Sequence, residues 1–140
     1  MMARVKIELP EKRLAEIKLS VRITDINYGN HLGNDALVGI LHEARVQWLS
    51  HHNFSELNIE GVGLIMADLA VVYKNESFYG DELTIGIYSG DITTVSFELY
   101  YSLNNQQNKI IAQAKTGMVC FDYQLKKVAS IPAGLLQIIE

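Results

Sequence analysis

The sequence predicts an α+β fold in which an antiparallel sheet is built around one long helix. Several segments alternate apolar and polar residues with the period of a half-buried strand, and one long segment has the period of an amphipathic helix. The chain has 140 residues, of which 49% are hydrophobic. That is enough to bury a core, and we expect a single domain spanning residues 1–140.

Two strands are predicted before the helix. Residues 17–24 alternate strictly between apolar and polar side chains, as expected of a strand with one buried face. A shorter alternating run, Val5, Ile7 and Leu9, precedes it. Pro10 is expected to end that first strand, since proline cannot donate to a sheet.

The stretch from Asp25 to Arg45, DINYGNHLGNDALVGILHEAR, changes from turn-forming residues to a helical pattern. From Leu37 onward the apolar residues recur on one face of a helix, which we expect to run from about residue 35 to about residue 51. Asn34 or Asp35 is predicted as the N-cap. Gly39, mid-helix, costs roughly 1 kcal/mol relative to alanine, which is tolerable if another group packs closely there.

Four strands are predicted after the helix. Residues 64–73 are almost all apolar, which indicates a central strand covered on both faces. Residues 83–87 and 95–103 alternate, and residues 110–121 form a long apolar strand. Pro132 opens a short C-terminal segment. One helix cannot cover both faces of such a sheet, so an uncovered apolar face or an edge should pair with a second copy in a homodimer.

Composition excludes several functional classes. The net charge is −4 and no basic block occurs, which argues against nucleic-acid binding. The N-terminus lacks an apolar signal-peptide run and no segment has the roughly 18 apolar residues of a membrane span, so a cytoplasmic location and no membrane partner are expected. The only cysteine, Cys120, is interpreted as a small buried hydrophobe. No spacing of His, Asp and Glu resembles a metal site, and nothing indicates a cofactor.

Four motifs in register point to a known family. His31 and Asn34 form an H-x-x-N pattern ahead of a helix that contains the sequence EAR at residues 43–45. Tyr73 begins the pattern Y-x-x-x-x-x-x-G-D-x-L-x-I, and residues 112–132 look like the family's last strand and exit. From about residue 15 to 133 the chain resembles the hot-dog-fold acyl-CoA thioesterases of the 4-hydroxybenzoyl-CoA thioesterase type.

This resemblance implies a hot-dog fold, a dimer joined edge to edge, and further pairing of dimers into tetramers. It also implies an active site at the subunit interface, at the start of the long helix, where free N–H groups favour developing negative charge. The implied reaction is hydrolysis of an acyl-CoA or acyl-carrier-protein thioester. A catalytically silent protein that binds acyl thioesters, or an interaction module, is the alternative.

The resemblance also implies roles for individual residues. The N–H of Asn34 stands where the family's oxyanion donor falls, and Gly33 gives the backbone freedom at the bend. Leu, Ile, Met and Tyr side chains near the helix start favour an apolar acyl chain. On that basis Tyr28 and Met66, together with Asp25 and Gly33, are the expected substrate contacts.

One position departs from the family pattern. Asn27 stands where the best-known members have an aspartate that acts as nucleophile or general base, and an amide cannot accept a proton. Asn27 can still polarise a carbonyl or orient water. Proton transfer must then come from another group.

Four other groups could supply this proton transfer. Asp68, in the apolar run GLIMADLAVVY, is the first candidate, because burial should raise its pKa; a structural pairing with Arg45 is its alternative. His31 could act as base, orient water, or only fix the loop. Asp25 is either a neighbour of Asn27 on the same strand face or a turn acid, and Asp35 is expected as an N-cap rather than a base.

Overall fold

The computed structural model describes residues 4–140, so the first three residues of the predicted domain lie outside it. The fold of residues 4–140 consists of one antiparallel sheet, one long helix and one short helix. The elements are β1 Arg13–Ser20, a 3-10 turn Ile23–Asp25, α1 Asn34–His51, β2 Gly63–Tyr73, β3 Glu82–Ile92, β4 Ser96–Asn104, β5 Ile110–Asp122, β6 Lys127–Val128 and α2 Ala133–Ile139. The strand order is β1-β3-β4-β5-β2, with β6 paired to β5.

The long helix fills the concave side of the sheet, as the periodicity predicts. Its apolar face is buried, and these side chains form one core with the inward residues of the strands. Burial of each large apolar side chain stabilises the fold by about 1.5–3 kcal/mol. The buried members of α1 are Leu37, Ile40, Leu41, Ala44, Arg45, Trp48 and Leu49.

The outer face of the sheet differs from the prediction. In β4 the residues Phe97, Leu99, Tyr101 and Leu103 are buried, while the alternating residues between them are only partly covered. These outward residues are Ser96, Glu98, Tyr100, Ser102 and Asn104. The expectation of an uncovered apolar face is therefore wrong, because the face that α1 leaves open is mainly polar.

The apolar surface lies instead along β2, which was predicted as a central strand but is an edge strand paired only with β5. Ile65, Met66 and Leu69 are each more than a third exposed. The near-continuous apolar run of this strand thus reflects an open, unpaired edge rather than cover on both faces. An exposed apolar edge of this length is a surface for strand pairing with another chain.

A β-bulge interrupts β2. Met66 pairs with Met118, whereas Asp68 pairs with Gly117, so Ala67 is the extra residue. A bulge shifts the alternation of faces by one residue. Met66 therefore shares the inner face with buried Met118, and Asp68 shares the outer face with Ala70 and Val72.

The two ends of the chain also differ from the predictions. Residues 5–9, predicted as a strand, belong to no strand. The C-terminal segment forms α2, which places Leu135 and Ile139 in the core. The hydroxyl of Ser89 donates to the carbonyl of Ile139 and holds the end of this helix on β3.

A polar network is buried beneath the middle of α1. Arg45 donates to Glu56 at 3.1 Å and to the Tyr101 hydroxyl at 3.3 Å, and that hydroxyl also contacts the Thr116 hydroxyl at 2.7 Å. Burial alone would lower the pKa of Arg45, but Tyr101 and Glu56 hold it above its usual value. Arg45 thus forms a structural ion pair with Glu56 and not with Asp68.

None of the helices between residues 4 and 140 is long and apolar enough to cross a membrane.

Gly39 provides a test of helix packing. A Cβ built at this position meets no atom of the chain within 4 Å, so the close contact expected there is absent within the described chain. Gly39→Ala should raise the free energy of unfolding by about 0.5–1 kcal/mol, because alanine loses less backbone entropy on folding. Urea denaturation would measure the change.

A matched control for this substitution lies in β3. A Cβ at Gly90 would lie 2.6 Å from Cε1 of Tyr100 and 2.8 Å from Cβ of Glu98, so Gly90→Ala should destabilise. A loss of stability in Gly39→Ala would mean that another chain packs against this part of α1.

Cys120 provides a second test. Its side chain is fully buried in β5, as predicted, and burial raises the pKa of its thiol to about 11. Since the thiolate is the reactive form, the folded protein should not react with a chromogenic disulfide reagent at pH 8. One thiol per chain should react after unfolding in urea. Rapid labelling of the folded protein would contradict the burial.

Candidate active site at the start of the long helix

A compact turn precedes α1. The Asn27 N–H donates to the His31 carbonyl at 2.9 Å, and the Asn30 N–H donates to the Asn27 carbonyl at 3.0 Å. Asn30 has φ of 68°, a left-handed conformation that asparagine tolerates better than most residues. The predicted strand thus ends before this stretch, and residues 27–31 form a loop that folds back on itself.

The loop is held between two other segments of the chain. The Leu32 N–H donates to the Ser77 carbonyl at 2.7 Å, and the Gly33 N–H donates to the Asp25 carbonyl at 2.9 Å. A Cβ at Gly33 would lie 2.8 Å from Oδ1 of Asp35. Gly33 therefore lets the chain enter the helix close to the Asp35 carboxylate.

The helix begins at Asn34, as predicted, but its N-cap is Gly33 rather than Asn34 or Asp35, and no side chain caps it. The Asn34 side chain accepts from the N–H of Asp35 at 3.0 Å. Among residues 4–140, the N–H groups of Asn34 and Ala36 make no hydrogen bond. These two donors, at the positive end of the helix dipole, are free for a ligand.

A cleft of about 840 Å³ opens at this helix start. Of the residues predicted for the site, it is lined by Asn27, Tyr28, His31 and Asn34. Its apolar lining comes from Leu32, Leu37 and Ile111, and six further polar residues complete it. These are Asp35, Tyr73, Lys74, Asn75, Glu76 and Ser77.

His31 has a defined tautomer. Its Nδ1 lies 3.2 Å from the carbonyl oxygen of Leu32, and since a carbonyl can only accept, Nδ1 carries the proton. In the neutral ring Nε2 then has a free lone pair. That atom would lie 3.2 Å from a Cβ at Gly29, so glycine at this position keeps the approach to Nε2 open.

The Asn27 amide is oriented by the turn. Its Oδ1 accepts from the N–H of Gly29 at 2.9 Å and, more weakly, from the N–H of His31 at 3.5 Å. Because backbone N–H groups only donate, the oxygen must face them and the NH2 group must face the other way. Asn27 therefore braces the loop and leaves two donors on its amide nitrogen.

Tyr73, at the end of β2, reaches the first residue of α1. Its hydroxyl donates to the carbonyl of Asn34 at 3.1 Å. Burial, followed by the negative charge of Asp35, raises the pKa of Tyr73, so the phenol stays protonated and remains a donor. This bond fixes one wall of the cleft to the helix start.

Asp25 does not line the cleft at the helix start. Its buried carboxylate accepts from the N–H of Arg22 at 2.8 Å and from the Arg22 guanidinium at 3.4 Å, so it is the turn acid of its two predicted alternatives. It lines a second cleft of about 620 Å³ on the other side of α1, together with Gly39 and Glu43. Asp35 lies between the two clefts and lines both.

The expectation that Asp68 is buried and has a raised pKa is wrong. Its side chain is 61% exposed on the outer face of the sheet, because the bulge at Ala67 turns it away from the core. The hydrogen bond from Lys115, at 2.8 Å, lowers the pKa of Asp68, and the N–H of Gly117 adds to this effect. Neither Asp68 nor Met66 lines the cleft at the helix start.

The sequence reasoning missed Tyr73 and Glu76 as parts of the site. The available signal was a set of polar residues directly after a strand, where loops carry binding groups. Within the described part of the chain, no three His, Cys, Asp or Glu side chains come together in a way that could hold a metal ion.

Comparison with solved structures supports the fold. A 1,4-dihydroxy-2-naphthoyl-CoA thioesterase from Synechocystis has a TM-score of 0.81 at 20% identity, over 89% of this chain and 93% of that one. A DHNA-CoA thioesterase from Staphylococcus aureus has a TM-score of 0.76 at 17% identity, over 83% and 79%. A second Staphylococcus aureus protein, a hypothetical protein solved in complex with CoA, has a TM-score of 0.80 at 14% identity, over 96% and 85%. At these identities the likeness establishes the hot-dog fold.

Comparison with curated proteins found no match. The profile of the thioesterase-like superfamily, in contrast, matches residues 21–139, which contain α1, the helix-start cleft and every strand except β1. The resemblance seen in the motifs is thereby confirmed, as is the prediction of an enzyme of this hydrolase class. The chain belongs to the thioesterase-like superfamily.

Proposed function

We propose that the protein hydrolyses acyl-CoA thioesters to the free acid and CoA in the cleft at the start of α1. The observation that carries this proposal is the free N–H group of Asn34, a residue that lines the cleft together with Asn27 and with His31, whose Nε2 is unoccupied. Ala36, the other residue with a free N–H, lines the second cleft instead. A thioester carbonyl needs donors for its developing oxyanion, and its attacking water needs a base. The cleft offers both.

The oxyanion donors come from the first residue of α1 and from the loop before it. The Asn34 N–H points out of the helix start, where the helix dipole favours negative charge. Asn27 lines the same cleft, and its amide nitrogen, which the turn leaves unused, can donate a second hydrogen bond. In this arrangement Asn27 polarises the carbonyl instead of accepting a proton.

His31 is the general base in this proposal, in place of Asp68. Its Nε2 takes a proton from water as the water oxygen bonds to the carbonyl carbon. When the tetrahedral intermediate collapses, the C–S bond breaks and the thiolate takes the proton from Nε2. The Leu32 carbonyl stabilises the imidazolium by keeping its bond to Nδ1–H. Asp35, also in the cleft, is the competing base that the experiment must separate from His31.

The substrate class follows from the walls of the cleft. Leu32, Leu37 and Ile111, with the fully exposed ring of Tyr28 at the rim, suit an apolar acyl chain. Two of the structural neighbours are CoA thioesterases by name and a third was solved with CoA. These neighbours favour CoA over a carrier protein as the thiol.

Assembly is part of this proposal. We place two copies edge to edge along β2, because the exposed apolar residues Ile65, Met66 and Leu69 lie beside an unpaired row of backbone groups. This pairing would bring the partner's β2 edge towards the Tyr73 end of the strand, and so towards the cleft.

A panel of acyl-CoAs with a thiol-trapping dye tests the activity. His31→Gln should lower kcat by about 10²–10⁴-fold, the effect of losing a general base. Asp35→Asn should lower it far less. Asp68→Asn should leave kcat within about twofold of the parent, since its carboxylate is already held by Lys115 on the outer face, and it serves as the matched control.

Three outcomes would count against this assignment. A large loss in Asp35→Asn with full activity in His31→Gln would transfer the base to Asp35. A large loss in Asp68→Asn would overturn the account of the bulge. Absence of CoA release from every acyl-CoA by the parent would leave the silent binding protein as the better description.

Light scattering tests the assembly. At micromolar concentration the parent should have twice the 15.7 kDa chain mass, or four times that mass if dimers pair again. Leu69→Lys should shift the mass towards the monomer, because a charge would be placed in the apolar edge. Tyr100→Lys, on the polar outer face, is the control for the dimer. A monomeric parent would contradict edge pairing.

A further inference from the structure

A smaller cavity adjoins the helix-start cleft. It has a volume of about 320 Å³ and is formed where the N-terminal segment, residues 4–8, runs beside β2 and β5. Lys74 lines both this cavity and the larger cleft. A ligand bound in the cleft can therefore continue past Lys74 into the second cavity.

Three cations meet in this small cavity, namely Arg4, Lys6 and Lys74. Within the described chain, none of the three has a carboxylate within 4 Å. Glu8 is the single acidic residue in the lining. The chain as a whole has 16 acidic and 12 basic residues, so this local excess of positive charge runs against the overall balance.

The other cationic positions near a cavity are already neutralised. On the outer face, Lys115 lies 2.8 Å from Asp68 and 3.4 Å from Glu98, and Asp91 lines the same cavity. In the second cleft beside α1, Arg22 is bound to Asp25. An anion in the cavity of Lys115 would be repelled by net negative charge. In the second cleft, its cationic partner would be Arg22, which is already bound to a carboxylate.

We infer that Arg4, Lys6 and Lys74 hold the phosphate groups of CoA while its thioester lies at the start of α1. This inference rests on the proposed function. In acyl-CoA a pantetheine arm separates the thioester from the diphosphate and the 3′-phosphate, so the phosphates must lie at the rim of the cleft rather than at the reacting carbonyl. The guanidinium of Arg4 can bind a phosphate through two parallel hydrogen bonds, and the two lysines add point charges.

This subsite distinguishes CoA from shorter thiols. Its contribution should be lost with the nucleotide part of the substrate and should weaken with salt, since the cations are exposed. The N-terminal segment, which has no regular secondary structure, thereby gains a function in substrate recognition.

The experiment compares two double variants that remove one arginine and one lysine each. Arg4→Gln/Lys74→Gln alters the subsite, and Arg13→Gln/Lys18→Gln removes the same charge from β1 at the opposite edge of the sheet. Each is assayed with an acyl-CoA and with the acyl-pantetheine that carries the same acyl group. The first variant should raise KM for acyl-CoA about tenfold, and by much more than for acyl-pantetheine; the β1 variant should match the parent.

Calorimetric titration with free CoA and with 3′-dephospho-CoA gives a second readout that needs no turnover. The parent should bind CoA more tightly, and Arg4→Gln/Lys74→Gln should lose most of that difference. Equal KM changes for both substrates, or equal changes in both double variants, would overturn the subsite. So would a larger effect on an acyl-carrier protein than on acyl-CoA. If the parent hydrolyses neither substrate but still shows the titration difference, the proposed function fails and the subsite stands.

Discussion

The site depends on how the first turn of α1 is held between three distant segments. Gly33 donates to Asp25 from the preceding turn, Leu32 donates to Ser77 from the loop after β2, and Tyr73 donates to the carbonyl of Asn34. Two of these bonds use N–H groups that precede the helix and the third uses the carbonyl of its first residue, so none of them occupies its free N–H groups. The helix start is therefore rigid and still open, which is what a preorganised oxyanion site requires.

The motif resemblance implies an aspartate at the position of Asn27, and an asparagine there is compatible with the proposed chemistry. Either side chain can accept from the N–H of Gly29 and so brace the turn, but only the amide has donors left over afterwards. The change removes a base and adds a hydrogen-bond donor at the same place. His31, whose proton position is set by the Leu32 carbonyl, lies four residues later and is suited to provide the basic group that the amide lacks.

The spacing of apolar residues was sufficient to predict the helix and the later strands. An element that buries one face has apolar residues at regular intervals along its whole length. The spacing failed for Asp68, because one extra residue in β2 exchanges the two faces, and nothing in GLIMADLAVVY marks Ala67 as that residue. The contacts of the helix start with Tyr73 and Ser77 were also beyond prediction. They join positions some forty residues apart in sequence and depend on the register of the whole sheet.

The distribution of charge follows from the same geometry. The bulge that turns Asp68 outward also gives Lys115 a partner, so the only cation among the described residues that line this outer-face cavity is paired. If Asp68 were on the inner face, Lys115 would have Glu98 as its remaining carboxylate partner. The net negative charge around that cavity would then be smaller, and an anion would be repelled less. The unpaired cations of Arg4, Lys6 and Lys74 instead lie next to the open helix start. A single extra residue in an edge strand thus gives Lys115 a carboxylate partner and leaves the cavity beside Lys74 as the place where an anionic substrate can bind.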